Sequence, residues 1–165
     1  MFLSIASLLA ILEIPLFNDV INMEFSLIAV FISRRYIGLL NSVIICFVYP
    51  WFSIFGPNGN PVGALFLLLQ SIFVLFIDYI FNKNNYSFLG IILVIILGTI
   101  WSMIINGLVI APIFTGGFDE SLTWMIIALI FNPFKFLIIY LLTLPLYKGL
   151  EKTINSNNNE EGNLN

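Results

Sequence analysis

Residues 122–147 read LTWMIIALIFNPFKFLIIYLLTLPLY. At 1.5 Å per residue this run is long enough to cross a hydrocarbon core about 30 Å thick. It carries one charge, Lys135, near its midpoint. A lysine at that depth costs about 2.5–3.5 kcal/mol on insertion scales. It persists where it faces protein, water or a ligand, so Asn132-Pro133-Phe134-Lys135 marks a functional site by default.

The rest of the chain belongs to the same solvent. Of 165 residues, 60% are hydrophobic and 9% charged, against about 25% charged in water-soluble domains. With no histidine, the commonest metal ligand and general base is missing, and no metal site is expected. Cys46 is a single cysteine, so no internal disulfide is possible. A phosphate-binding G-x-x-x-x-G-K-[ST] loop, a Ser-His or Cys-His pair and a basic run are all lacking. An ATPase, a hydrolytic enzyme and a nucleic-acid binder are thereby disfavoured.

Outward from Lys135, the apolar runs are Phe2–Phe17, Phe25–Ser33, Tyr36–Phe55, Val62–Phe81, Phe88–Ala111 and Leu122–Tyr147. Met1 leads straight into the first, which lacks the positive start of a secretory signal and reads as a retained helix. The second is short and must borrow flanking residues, tilt or dip part-way. Turn chemistry separates the rest: Gly56 to Pro61, Asn82 to Asn85 and Thr115 to Glu120. These runs predict an all-α membrane protein of six transmembrane helices in one bundle, residues 1–150. Residues 151–165, rich in Asn and Glu, predict a disordered cytoplasmic tail.

Charge fixes the expected orientation. With both termini cytoplasmic, Arg34, Arg35, Lys83, Lys148 and Lys152 fall on the inside. Asp19, Glu24, Asp119 and Glu120 fall outside, with no basic residue beside them. Thirteen residues separate Lys135 from Lys148, about 20 Å of helix, which puts Lys135 in the outer third. Asn106 and Asn132 come to a similar depth, and a pocket there opens outward. Either asparagine alone reads as well as an ordinary interhelical hydrogen bond. Lys135 could instead pair with Glu13, Asp19 or Glu24. Gln70 and Asp78 are weaker candidates, the first as a helix bridge, the second as a wet residue at an inner end. Ala6 and Ala10, four apart, give a helix face that suits either internal packing or docking of another membrane subunit. The absence of a motor beside such a pocket suggests a binding subunit that needs partners.

Several elements resemble the substrate-binding S components of energy-coupling factor (ECF) vitamin transporters, the riboflavin type among them. Glu24-Phe25-Ser26 is similar to their Asp-Phe-Ser element, and Gly38 falls where they carry Gly-Pro. Gly59-Asn60-Pro61-Val62-Gly63 resembles G-x-P-V-G, Asn106 with Pro112 an N-x5-P signature, and Asn132-x-x-Lys135 the P-F-N-x-x-K-G element. Ala6-x-x-x-Ala10 matches the A-x-x-x-A motif that contacts the coupling subunit. The resemblance implies a high-affinity vitamin-binding subunit in a bacterial cell membrane, with no enzymatic activity and no resident cofactor. It implies riboflavin held by Asn106, Asn132 and Lys135, and as partners one transmembrane coupling subunit and two ATPases. The Glu-x-x-Lys-Asn group of the third helix is replaced by Cys46, Tyr49 and Pro50, and the Glu after G-x-P-V-G by Ala64. The expectation is then either a flavin held more by stacking on Tyr49 and Trp51, or a different vitamin. A structural membrane protein is the remaining alternative.

Overall fold

The computed structural model describes residues 1–12, 14–16, 21–56, 59–83 and 85–162, and leaves aside the side chains of residues 14–16, 21–22 and 154–162. Among the described residues there are six helical segments and one small hairpin. Helix α1 is Phe2–Ile11. Strands β1, Ile14–Leu16, and β2, Ile21–Met23, pair antiparallel with Pro15 opposite Asn22. Helix α2 is Ser26–Ile37. Helix α3 is Leu39–Phe55, α-helical to Val48 and 3-10 from Tyr49. Helix α4 is Pro61–Phe81, α5 is Phe88–Thr115 and α6 is Ser121–Gly162.

Local chemistry accounts for most boundaries. Proline cannot donate to a helix ladder, and it pushes the preceding residue toward extended backbone. The first apolar run therefore stops being helical at Ile11 and enters the hairpin around Pro15, where a single helix to Phe17 was expected. Gly38 has φ +85°, and a Cβ there would meet nothing within 4 Å. The demand for glycine is thus conformational, not spatial. It breaks the chain between Ile37 and Leu39, so Tyr36 ends α2 instead of opening α3. Asn60 caps α4 by accepting from Gly63 N at 2.7 Å, with Pro61 at the first helical position. Ser87 caps α5 in the same way at 2.9 Å. Helical backbone of α6 continues to Gly162, past the start of the stretch whose composition predicts disorder.

Three helices are long and apolar enough to cross a membrane: α4, α5 and α6 as far as Thr153. Helices α1 and α3 are shorter apolar helices. Helix α2, at twelve residues, reaches only about 18 Å. Every side chain from Ser26 to Arg34 is buried, on all faces of the helix. A helix covered all round is an interior one. Leu27 and Phe31 pack with Val74, Val94, Phe136 and Ile139, while Ala29 and Val30 pack with Ala6, Ala10, Cys46 and Tyr49. Helix α2 is thus the axle between α4–α6 on one side and α1 and α3 on the other.

Candidate functional site

Asn132 and Lys135 lie three apart on α6 and therefore share a face. Both point inward, with 7% and 6% exposure. Lys135 Nζ donates to Gln70 Oε1 on α4 at 3.2 Å and lies 3.4 Å from Glu24 Oε1, just before α2. The expectation of a lone pocket-facing cation is corrected: Lys135 has an ion-pair partner, and of the three acids considered it is Glu24. Glu13 and Asp19 lie outside the described residues. Glu24 was placed with the outer, aqueous acids. It is buried instead, because α2 begins inside the bundle.

The remaining hydrogen bonds form a directed chain. Lysine can only donate, so Gln70 turns its oxygen to Lys135. Its Nε2 then donates to Ser102 Oγ on α5 at 2.6 Å and to Asn132 Oδ1 at 3.3 Å. Asn132 Nδ2 donates back to Ala128 O at 2.9 Å, and Ser102 Oγ to Gly98 O at 2.8 Å. One glutamine therefore ties α4 to α5 and α6. Asn106 opens a π-helical turn, Asn106–Ile110, and its Nδ2 donates to Ser102 O at 2.8 Å. Such turns recur at functional sites. Asn106 sits one turn above Ser102, half-buried, and is joined to the cluster through that residue's backbone.

Tyr49 is fully buried beside Ala6, Ala10, Cys46 and Leu75. Its hydroxyl lies in range of Ser26, Ser71 and Glu24, which brings it to the edge of the same polar region. Trp51, expected to stack with it on a ligand, is 46% exposed. Residues two apart point to roughly opposite sides of any helix, which accounts for the divergence. Three residues per turn bring Pro50 and Ser53 inward together and send Trp51 out. Ala6 and Ala10 are both 0% exposed. They pack against Ala29 and Val30 of α2 and against Ile45, Cys46 and Tyr49 of α3, as the internal-packing reading has it.

A second buried polar cluster lies near the other end of α2. Arg34 NH2 is 2.8 Å from Asp78 Oδ2, and Asp78 Oδ1 accepts from Tyr140 Oη at 2.7 Å and from Asn82 Nδ2 at 2.9 Å. Arg35 lies over the Tyr86 ring at 4.6 Å and caps the carbonyls of Asn82 and Lys83. Asp78, expected to be wet, is 0% exposed, and Arg34 is 5% exposed. The burial of α2 reaches as far as Arg34, and the arginine comes inside with its counter-charge.

The residues that the sequence reading did not place in the site are Glu24, Ser26, Gln70 and Ser102. Gln70 did stand out as a lone amide in an apolar run. The two serines give no signal, because serines in membrane helices commonly bond their own backbone. Among the described residues, no group of three or more His, Cys, Asp or Glu could hold a metal.

No family model and no curated protein matches the sequence. A solved structure does: the S component of a bacterial ECF transporter, at TM-score 0.79 and 22% identity, over 93% of this chain and 93% of that one. Identity at that level speaks for architecture alone, and the chain has the fold of an ECF transporter S component.

Proposed function

We propose that this chain is the membrane-embedded, vitamin-binding subunit of an ECF uptake system, with riboflavin as its ligand. The observation that carries the reading is the interior cluster Lys135–Gln70–Asn132–Ser102 with Glu24, drawn from four elements to one level of an S-component fold. Interior polar groups in lipid are costly, and they mark substrate paths more often than scaffolding. The chain crosses the membrane with both termini in the cytoplasm of a bacterium, and the site opens outward. Uptake then needs a transmembrane coupling subunit and two ATPases, since the chain itself carries no nucleotide-binding loop. A coupling subunit that meets α1 meets its exposed side, Leu3, Ile5 and Leu8, instead of Ala6 and Ala10.

The test is riboflavin titration into purified protein, with mass spectrometry of any co-purified small molecule. Saturable riboflavin binding is expected. A protein indifferent to flavins but holding another vitamin would keep the transporter reading and replace the ligand. The Glu24–Lys135 pair at 3.4 Å favours one rival, a structural membrane protein whose buried charges only hold helices together. An absence of any bound or binding small molecule would select it.

A further inference from the structure

Two buried carboxylates in this chain are treated very differently. Asp78 is fully dressed: Tyr140 and Asn82 donate to one oxygen, and Arg34 sits 2.8 Å from the other. Glu24 is 1% exposed, and neither of its oxygens receives a hydrogen bond from the described residues. It is paired with the Lys135 ammonium at 3.4 Å, which donates to Gln70. Beside Glu24, Ser26 Oγ and Tyr49 Oη are also fully buried; they lie in range of one another, and Tyr49 of Ser71, but neither makes a well-formed hydrogen bond among the described residues. Three polar atoms, Glu24 Oε2, Ser26 Oγ and Tyr49 Oη, therefore lack a well-formed partner among the described residues, in a region where each unmatched group costs about 1–3 kcal/mol.

We infer that Glu24, Ser26 and Tyr49 form a subsite for the N–H and O–H donors of an uncharged ligand, an inference that rests on the vitamin-binding reading above. A carboxylate only accepts, so its complement must donate. The two hydroxyls both give and take, which suits amide, imide or hydroxyl groups. Charge sets the class further. Glu24 and Lys135 already cancel, so an anion placed here meets a bare carboxylate at low dielectric, where repulsion is strong. The three residues come from the segment before α2, the first turn of α2 and the 3-10 part of α3, and Lys135 joins them to the Gln70–Asn132 chain of α4 and α6. A ligand at this level is held from both sides: by donors and acceptors already ordered on one, by unspent ones on the other.

The experiment uses riboflavin quenching with full-length protein in nanodiscs, for wild type, Tyr49→Phe, Ser26→Ala and Glu24→Gln, alongside melting curves. Because neither hydroxyl makes a well-formed hydrogen bond among the described residues, Y49F and S26A are expected to melt close to wild type yet bind riboflavin about three- to tenfold more weakly. Glu24→Gln is expected to lose at least tenfold. Its reading is secondary, since it also unpairs Lys135. Wild-type affinity in both Y49F and S26A would overturn the inference while the vitamin reading stands, and would leave the idle atoms to buried water. A wild-type protein that neither binds riboflavin nor holds any other small molecule overturns that reading, and the subsite with it.

Discussion

Lys135 on α6 and Glu24 at the head of α2 meet at 3.4 Å, both closed off from the surface. Removing one member of a buried pair strands the other, which costs about 3–5 kcal/mol. Lys135→Ala is therefore expected to lower thermal stability sharply as well as to abolish ligand binding. Replacing both charges, Glu24→Gln with Lys135→Met, is expected to recover most of the stability and none of the binding. Melting curves in detergent for the two singles and the double decide this. Equal losses in single and double would mean that the charges do not depend on one another.

Gln70 is the joint of the cluster, accepting from Lys135 and donating to Ser102 and Asn132. Gln70→Leu fills similar space but leaves those partners unmatched, at about 1–3 kcal/mol for each buried group. Riboflavin affinity is expected to fall at least tenfold, roughly 1.4 kcal/mol. A titration with unaltered affinity would show that Lys135 and Asn132 hold their positions without it.

The Arg34–Asp78 cluster is read as a structural lock. Asp78→Asn is expected to destabilise by about 3 kcal/mol or more, since it leaves Arg34 buried without a counter-charge. Tyr140→Phe removes one hydrogen bond to a charged group, about 1.5–3 kcal/mol. Neither residue touches the Lys135 cluster, so ligand affinity of the folded fraction is expected to hold. Affinity lost in step with stability would tie the two clusters into one unit.

Ala6 and Ala10 offer a sharp contrast between packing and docking. Enlarging fully buried positions costs about 1–3 kcal/mol through strain. Ala6→Leu with Ala10→Leu is expected to lower the melting midpoint of the isolated subunit, with no partner present. A double variant as stable as wild type would return these alanines to a partner-facing role.

Most of the long helices are legible in the sequence. The α4, α5 and α6 runs are apolar, long and bounded by Asn60-Pro61, Ser87 and Gly116, whose local chemistry acts wherever they sit. Lys135 and Asn132 are legible for a related reason: a polar group in lipid announces itself by cost. Glu24 is not. It stands next to a short apolar run, and only the inward placement of α2 turns it from a surface acid into a buried one. The hairpin escapes because strand pairing of residues 14–16 with 21–23 follows from Pro15 ending a helix that the apolar pattern alone would extend. Trp51 misleads because it is two residues from Tyr49 and so lies on the other side of the helix, whether the turn is α or 3-10.

The all-round burial of α2 has a consequence for biogenesis. A segment of twelve residues that ends in Arg34 and Arg35 is a poor substrate for the translocon, where each central arginine weighs against insertion by about 2.5–3.5 kcal/mol. With no side of Ser26–Arg34 turned outward, this part of α2 has nowhere to rest until its neighbours are present. It enters as cargo of the surrounding helices, after Asp78 has arrived to receive Arg34. The order of synthesis, α2 before α4, is then the reverse of the order in which the two become settled.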